Sequence, residues 1–128
     1  MLKFSNTQLR QLEEGALRRF AVVSCAFLAE HFPDAAEVPP AQLLESALEQ
    51  FGRARRHGLG TERQLLGYLI TAWLLGSSFD EVFMPPRLVL GDPAYSADEK
   101  VEWLEEWTVE FLHRMSPDTV VPTLSGKG

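Results

Sequence analysis

Apolar residues recur along this chain at spacings of three and four, the pattern of helices that each bury one face. Leu9, Leu12, Ala16, Phe20, Val23 and Phe27 form the first such stripe, with Gln11, Glu14 and Arg18 on the other side. Ser5, Asn6 or Thr7 can cap its start, because a side-chain oxygen there accepts from the free amides of a first helical turn. From Phe20 to Ala29 the sequence FAVVSCAFLA is apolar almost all round, as in a helix covered on both sides. The pattern predicts one helix over residues 7–31 whose second half runs through the centre of the domain. Gly15, unfavourable inside a helix, marks a close helix crossing in that reading.

His31-Phe32-Pro33-Asp34 ends the stripe, since a residue before proline is pushed away from helical angles. Residues 33–39 read as a loop, and Pro40 suits the first turn of a second helix, where its missing N–H is no loss. Leu43, Leu44, Ala47, Leu48 and Phe51 give that helix a buried face. Arg53, Arg55, Arg56 and His57 crowd its last turn, where cations complement the negative helix end. Gly58 is the expected left-handed cap. Thr61-Glu62-Arg63-Gln64 has the form of a capping box and opens a third helix. The run Leu65, Leu66, Tyr68, Leu69, Ile70, Ala72, Trp73, Leu74 and Leu75 predicts a second central helix. Gly76-Ser77-Ser78 ends it. Phe79 to Pro86 reads as a tight connection with room for a short helix through Arg87–Leu90, and Gly91-Asp92-Pro93 as a turn.

Ser96-Ala97-Asp98-Glu99 is a second capping box, and the segment 97–115 behind it is the clearest amphipathic stretch in the chain. Val101, Leu104, Trp107, Phe111, Leu112 and Met115 share one half of its helical wheel, with Trp103 at the edge. Asp98, Glu99, Glu102, Glu105, Glu106 and Glu110 share the other. Pro117 stops it, and the remainder has the composition of a frayed end. No stretch alternates apolar and polar β-branched residues, so the expected fold is all-α: a bundle of four main helices with a short extra helix or turn between the third and fourth. The expected organisation is a single helical domain over residues 1–116 and a flexible tail over 117–128.

Composition changes this picture little and charge changes it more. A chain of 128 residues with 45% hydrophobic and 23% charged residues is long enough for a core and has no long apolar run. Met1 to Asn6 does not read as a secretory leader, and the single cysteine, Cys25, excludes an internal disulfide. A cytoplasmic protein with no membrane association is the expectation. Residues 1–57 hold seven Lys/Arg and seven Asp/Glu, whereas residues 58–128 hold five and eleven. The formal charge of −6 therefore lies wholly in the C-terminal part. A net acidic surface repels phosphate backbones, so nucleic acid is disfavoured and a basic or polar protein surface is the better partner.

No catalytic constellation stands out. Cys25 lies in the apolar stretch, where burial lowers thiol reactivity, and reads as buried filler. His31, His57 and His113 sit near helix ends without paired metal-ligand spacing. The Glu110/His113 pair reads as helix-end complementation. Gly58-Leu59-Gly60 lacks the lysine and the strand of a phosphate loop. Arg53, Arg55 and Arg56 read as helix termination and pairing with the acidic helix. No cofactor, metal or enzymatic activity is expected. The acidic face of 97–115 reads first as a solvated surface. Its best functional reading is docking of a basic partner through Trp103, Trp107, Glu102, Glu105 and Glu106, since tryptophans beside charges are typical of binding hot spots. For Trp107 core packing is the plainer alternative; for Trp103 the two readings balance.

The residues Gln11-Leu12, Phe20, His31-Phe32-Pro33, Arg53-Ala54, Gly58, Glu62, Tyr68-Leu69 and Leu75-Gly76-Ser77-Ser78-Phe79-Asp80 carry a resemblance. The chain resembles small helical proteins of bacterial type VI secretion effector clusters, encoded beside toxins, adaptor chaperones and PAAR-type spike tips. It departs from that pattern at Val22-Val23-Ser24-Cys25, where Arg or His is common, and at Pro85-Pro86, where Pro-Trp is common. The resemblance implies an accessory, co-chaperone or adaptor role in loading a secreted effector. Its expected partner is the effector toxin or the adaptor chaperone of that toxin. The alternative is an immunity protein that binds and neutralises a cognate toxin. No catalytic residue comes with it.

Overall fold

A computed structural model describes residues 13–115, and within them the chain is all-α, with no strand. The helices are α1 (Glu14–His31), α2 (Pro33–Ala36), α3 (Pro40–Arg56), α4 (Glu62–Leu75), α5 (Phe79–Val82), α6 (Met84–Leu90) and α7 (Ala97–Met115). The candidate caps Ser5, Asn6 and Thr7, the stripe residues Leu9 and Leu12, the stop at Pro117 and the tail 117–128 lie outside the described residues. The connection after α4, where a short extra helix or turn is expected, holds two short helices, α5 and α6.

The helix ends follow local chemistry. Thr61 Oγ1 accepts from the Gln64 amide at 3.1 Å, and Gln64 Oε1 accepts from the Thr61 amide at 3.1 Å, so the first capping box is complete. Ser96 and Glu99 form the second in the same way. Gly58 takes a φ of 90°, a region that favours glycine. Around it the Leu59 amide donates to Ala54 O at 3.0 Å and the Gly58 amide to Arg55 O at 3.0 Å. These two bonds make a Schellman ending, which turns the buried Leu59 back onto the core.

The long helices pack in series: α1 on α3, α3 on α4, and α4 on α7. The interior helices are therefore α3 and α4, and the core is built from Phe51, Leu59, Leu65, Tyr68, Phe79, Leu90, Val101 and Leu104. The central position of α4 agrees with its nearly continuous apolar run. Where α4 meets α7, a Cβ on Gly67 would lie 2.9 Å from Val101 Cγ1, so the absence of a side chain there allows the close approach.

The first helix departs from expectation in three ways. Glu13 is extended, with φ −69° and ψ 168°, so no single helix spans 7–31; α1 begins at Glu14. Its buried residues are Leu17, Ala21, Ser24 and Leu28, a stripe one position away from that of Phe20, Val23 and Phe27. Val22 and Val23 are 54% and 61% exposed, so the apolar stretch lies at the edge of the row and not at its centre. Among the described residues α1 packs mainly on α2 and α3, and weakly on α4, which leaves Val22 and Val23 uncovered. Likewise, residues 33–36, read as loop, form α2, since Pro33 is tolerated at the first helical position.

Candidate functional site

On α7 the buried stripe is Lys100, Val101, Leu104 and Thr108. The larger aromatics are displaced to its flank, where Trp103, Trp107 and Phe111 are half-buried. Their spacing of four residues stacks them along the helix. The Trp103 and Trp107 rings lie 5.8 Å apart at 10°, and Trp107 and Phe111 5.0 Å apart at 18°. Phe83, at the junction of α5 and α6, meets Trp107 and Phe111 edge-on at 5.8 and 5.2 Å. Offset stacks and edge contacts of this kind add stability beyond area burial, about 0.5–1.5 kcal/mol each. The result is a ladder of four aromatic rings, each retaining some surface in water.

Of the five residues singled out from the sequence, the structure brings four to one flank. Glu102 and Glu106 are exposed and border an open concavity of about 350 Å³ together with Trp103, Tyr95 and Glu99, and Trp107 stacks directly beside Trp103. Glu105 turns the other way, where its carboxylate accepts from Arg63 at 3.3 Å over the Gly67 crossing. Tyr95, Phe83 and Phe111 complete the surface. Phe111 carried a signal in the wheel of residues 97–115, whereas Tyr95 and Phe83 lie in connections whose paths are set only by packing.

A second cluster had no place in the sequence reading. Asp80, nearly buried, accepts from Arg53 on Oδ1 at 2.8 Å and from the Tyr68 hydroxyl on Oδ2 at 2.8 Å; His57 Nε2 lies 3.0 Å from the same Oδ2. Burial alone would raise the Asp80 pKa, but the hydrogen bonds of His57 and Tyr68 and the Arg53 charge outweigh it and hold the carboxyl below its ordinary value. Burial also pushes the Tyr68 hydroxyl up, with the bond to Asp80 and its charge adding to the effect. Both Asp80 oxygens are occupied by protein donors, so the cluster clasps α3, α4 and α5 together. Arg53 and His57, four residues apart on the last turn of α3 and its C-cap, lie on one side for this purpose. Arg53 thus pairs with Asp80 and, at 3.5 Å, with Glu81, and not with the acidic helix. It is Lys100 of α7 that reaches this corner, donating to the His57 carbonyl at 3.0 Å. Arg53, Tyr68 and Asp80, which carry part of the resemblance noted above, meet in this clasp.

Cys25 is half-buried, not enclosed, and lines an apolar groove of about 470 Å³ between α1, α2 and the start of α3. Burial pushes its thiol up, away from the reactive thiolate. His31 and His113 are exposed, and His31 lies against the Phe27 ring. Among the described residues no group of three or more His, Cys, Asp or Glu side chains is arranged to hold a metal ion, and no helix is long and apolar enough to cross a membrane. Comparison of the chain with protein-family models, curated proteins and solved structures finds no match in any of the three.

Proposed function

We propose that this chain is a non-enzymatic protein-interaction module that binds its partner through the outer flank of α7. The observation that carries this reading is the aromatic ladder of Trp103, Trp107, Phe111 and Phe83, half-exposed and bordered by Glu102 and Glu106. Half-buried aromatics stacked in this way present rigid apolar area to a partner at low entropic cost. Joined with the resemblance to accessory proteins of type VI effector clusters, it supports an adaptor or co-chaperone acting in the cytoplasm on a secreted effector or on the adaptor chaperone of that effector.

The test is co-expression of the chain with the effector and adaptor chaperone encoded beside it, followed by calorimetric titration of the purified pair. Trp103→Ala is expected to remain folded and to weaken binding by about 2 kcal/mol, roughly thirtyfold. Unchanged affinity in folded Trp103→Ala and Trp107→Ala would move the interface off α7. Protection of cells from the toxin without any role in its secretion would replace the adaptor reading with that of an immunity protein.

A further inference from the structure

Of the acids on the outer flank of α7, Glu99 accepts from the Ser96 amide in the capping box, whereas Glu102 and Glu106 have no hydrogen-bond or ion-pair partner among the described residues. Glu99, Glu102 and Glu106 follow one another at spacings of three and four, so like charges face each other along the helix, which is unfavourable. Among the described residues none of the three is paired with a cation; Lys100 of the same helix is buried against the His57 carbonyl, and Arg63 is paired with Glu105. The three carboxylates surround a concavity of about 350 Å³ whose remaining wall includes the Tyr95 and Trp103 rings. A cation placed there meets aromatic rings and unpaired carboxylates at once, and each attraction strengthens as water is displaced.

Resting on the interaction reading above, we infer that the partner's contacting element is a basic amphipathic segment. Its Arg or Lys enters the concavity between Tyr95 and Trp103, and its apolar residues cover Trp107, Phe111 and Phe83. Charge complementarity selects the basic side chain. The length of the ladder selects a protein segment over a small polyamine, since Trp103 to Phe111 spans about 12 Å of helix. Two turns of a helix match that span.

The probe is a synthetic peptide of about four helical turns, with leucines at helical spacing on one face and arginines on the other. Its counterpart carries glutamates in place of the arginines. Binding to the full chain is read by anisotropy of labelled peptide at about 0.15 M salt, with helicity of every variant checked by circular dichroism. The basic peptide is expected to bind and the acidic one not. Glu102→Gln with Glu106→Gln should weaken binding by about tenfold and flatten its salt dependence, and Trp103→Ala should weaken it by a similar factor. Glu30→Gln with Glu45→Gln, exposed acids on α1 and α3, should leave it within about twofold. No binding of the basic peptide, equal binding of both peptides, or equal losses in the control pair would overturn the inference. Spermidine binding as tightly as the peptide would overturn the choice of a protein segment. If the cognate partner binds and Trp103→Ala weakens it while the Glu102/Glu106 pair does not, the interaction surface stands and the basic segment falls. If the tryptophan variants have no effect on the cognate partner, both fall.

Discussion

Removing the Asp80 carboxylate isolates the energetics of the clasp. Asp80→Ala withdraws one acceptor from three donors that sit on α3, its C-cap and α4. The Tyr68 hydroxyl is fully buried and would be left without a partner, a cost of about 1–3 kcal/mol. Breaking a wholly buried charge pair costs about 3–5 kcal/mol, but the Arg53 and His57 side chains retain 17% and 23% exposure, so water recovers part of theirs. The expected total is about 3 kcal/mol, a large part of a typical folding free energy of about 5–15 kcal/mol. The assay is urea unfolding followed by helicity, with Glu81→Ala as control. The Glu81 side chain is 72% exposed and lies 3.5 Å from Arg53, so its loss should cost under about 0.5 kcal/mol. The pH dependence has a definite sign. Because the folded-state pKa of Asp80 is lowered, its contribution is complete above the ordinary carboxylate pKa of about 3.9 and is lost as pH falls through the lower folded value. The stability gap between wild type and Asp80→Ala should therefore hold steady from about pH 7 to 5 and narrow below about pH 4, leaving the part that comes from the Tyr68 hydroxyl, whose hydrogen bond a protonated carboxyl still accepts. A loss under about 1 kcal/mol with an unchanged denaturant slope would refute the clasp as a desolvated network. A gap that closes between about pH 7 and 5 would assign the titration to another group.

Two further outcomes follow from the packing. Gly67→Ala places a methyl 2.9 Å from Val101 Cγ1 at the α4–α7 crossing, so it should destabilise by about 1–3 kcal/mol in thermal melts despite the better helix propensity of alanine; a rise in Tm would show that the crossing yields freely. Cys25, half-buried with its thiol pKa raised, should label with a thiol reagent more slowly than a free cysteine at neutral pH and faster as pH rises. Labelling at the free-cysteine rate would contradict its place in the groove wall, whereas Cys25→Ala should leave partner binding intact.

What the sequence determined by itself was local. Both capping boxes, Pro40 at a first helical position and Gly58 at a left-handed cap are each decided within a few residues, because capping bonds and the φ of glycine do not depend on the rest of the chain. The amphipathic stripe of 97–115 was legible for a related reason: six acids on one side leave few ways to orient the helix, so four of the five candidate residues fall on one flank. Tertiary structure decided whatever required a neighbour. In FAVVSCAFLA every face is apolar, so periodicity cannot choose among them. The choice fell to the residues α3 presents, which buried Ala21, Ser24 and Leu28 and left Val22 and Val23 in water. The Asp80 clasp joins residues 12 to 27 positions apart, and no spacing rule within one helix links an aspartate after a turn to an arginine, a histidine and a tyrosine on two others. The same holds for Lys100 and Thr108, polar residues that only the packing against α4 and the end of α3 places inside the buried stripe of α7. A helix sets the angle between its own side chains; which of them meets the core depends on what the folded chain brings alongside.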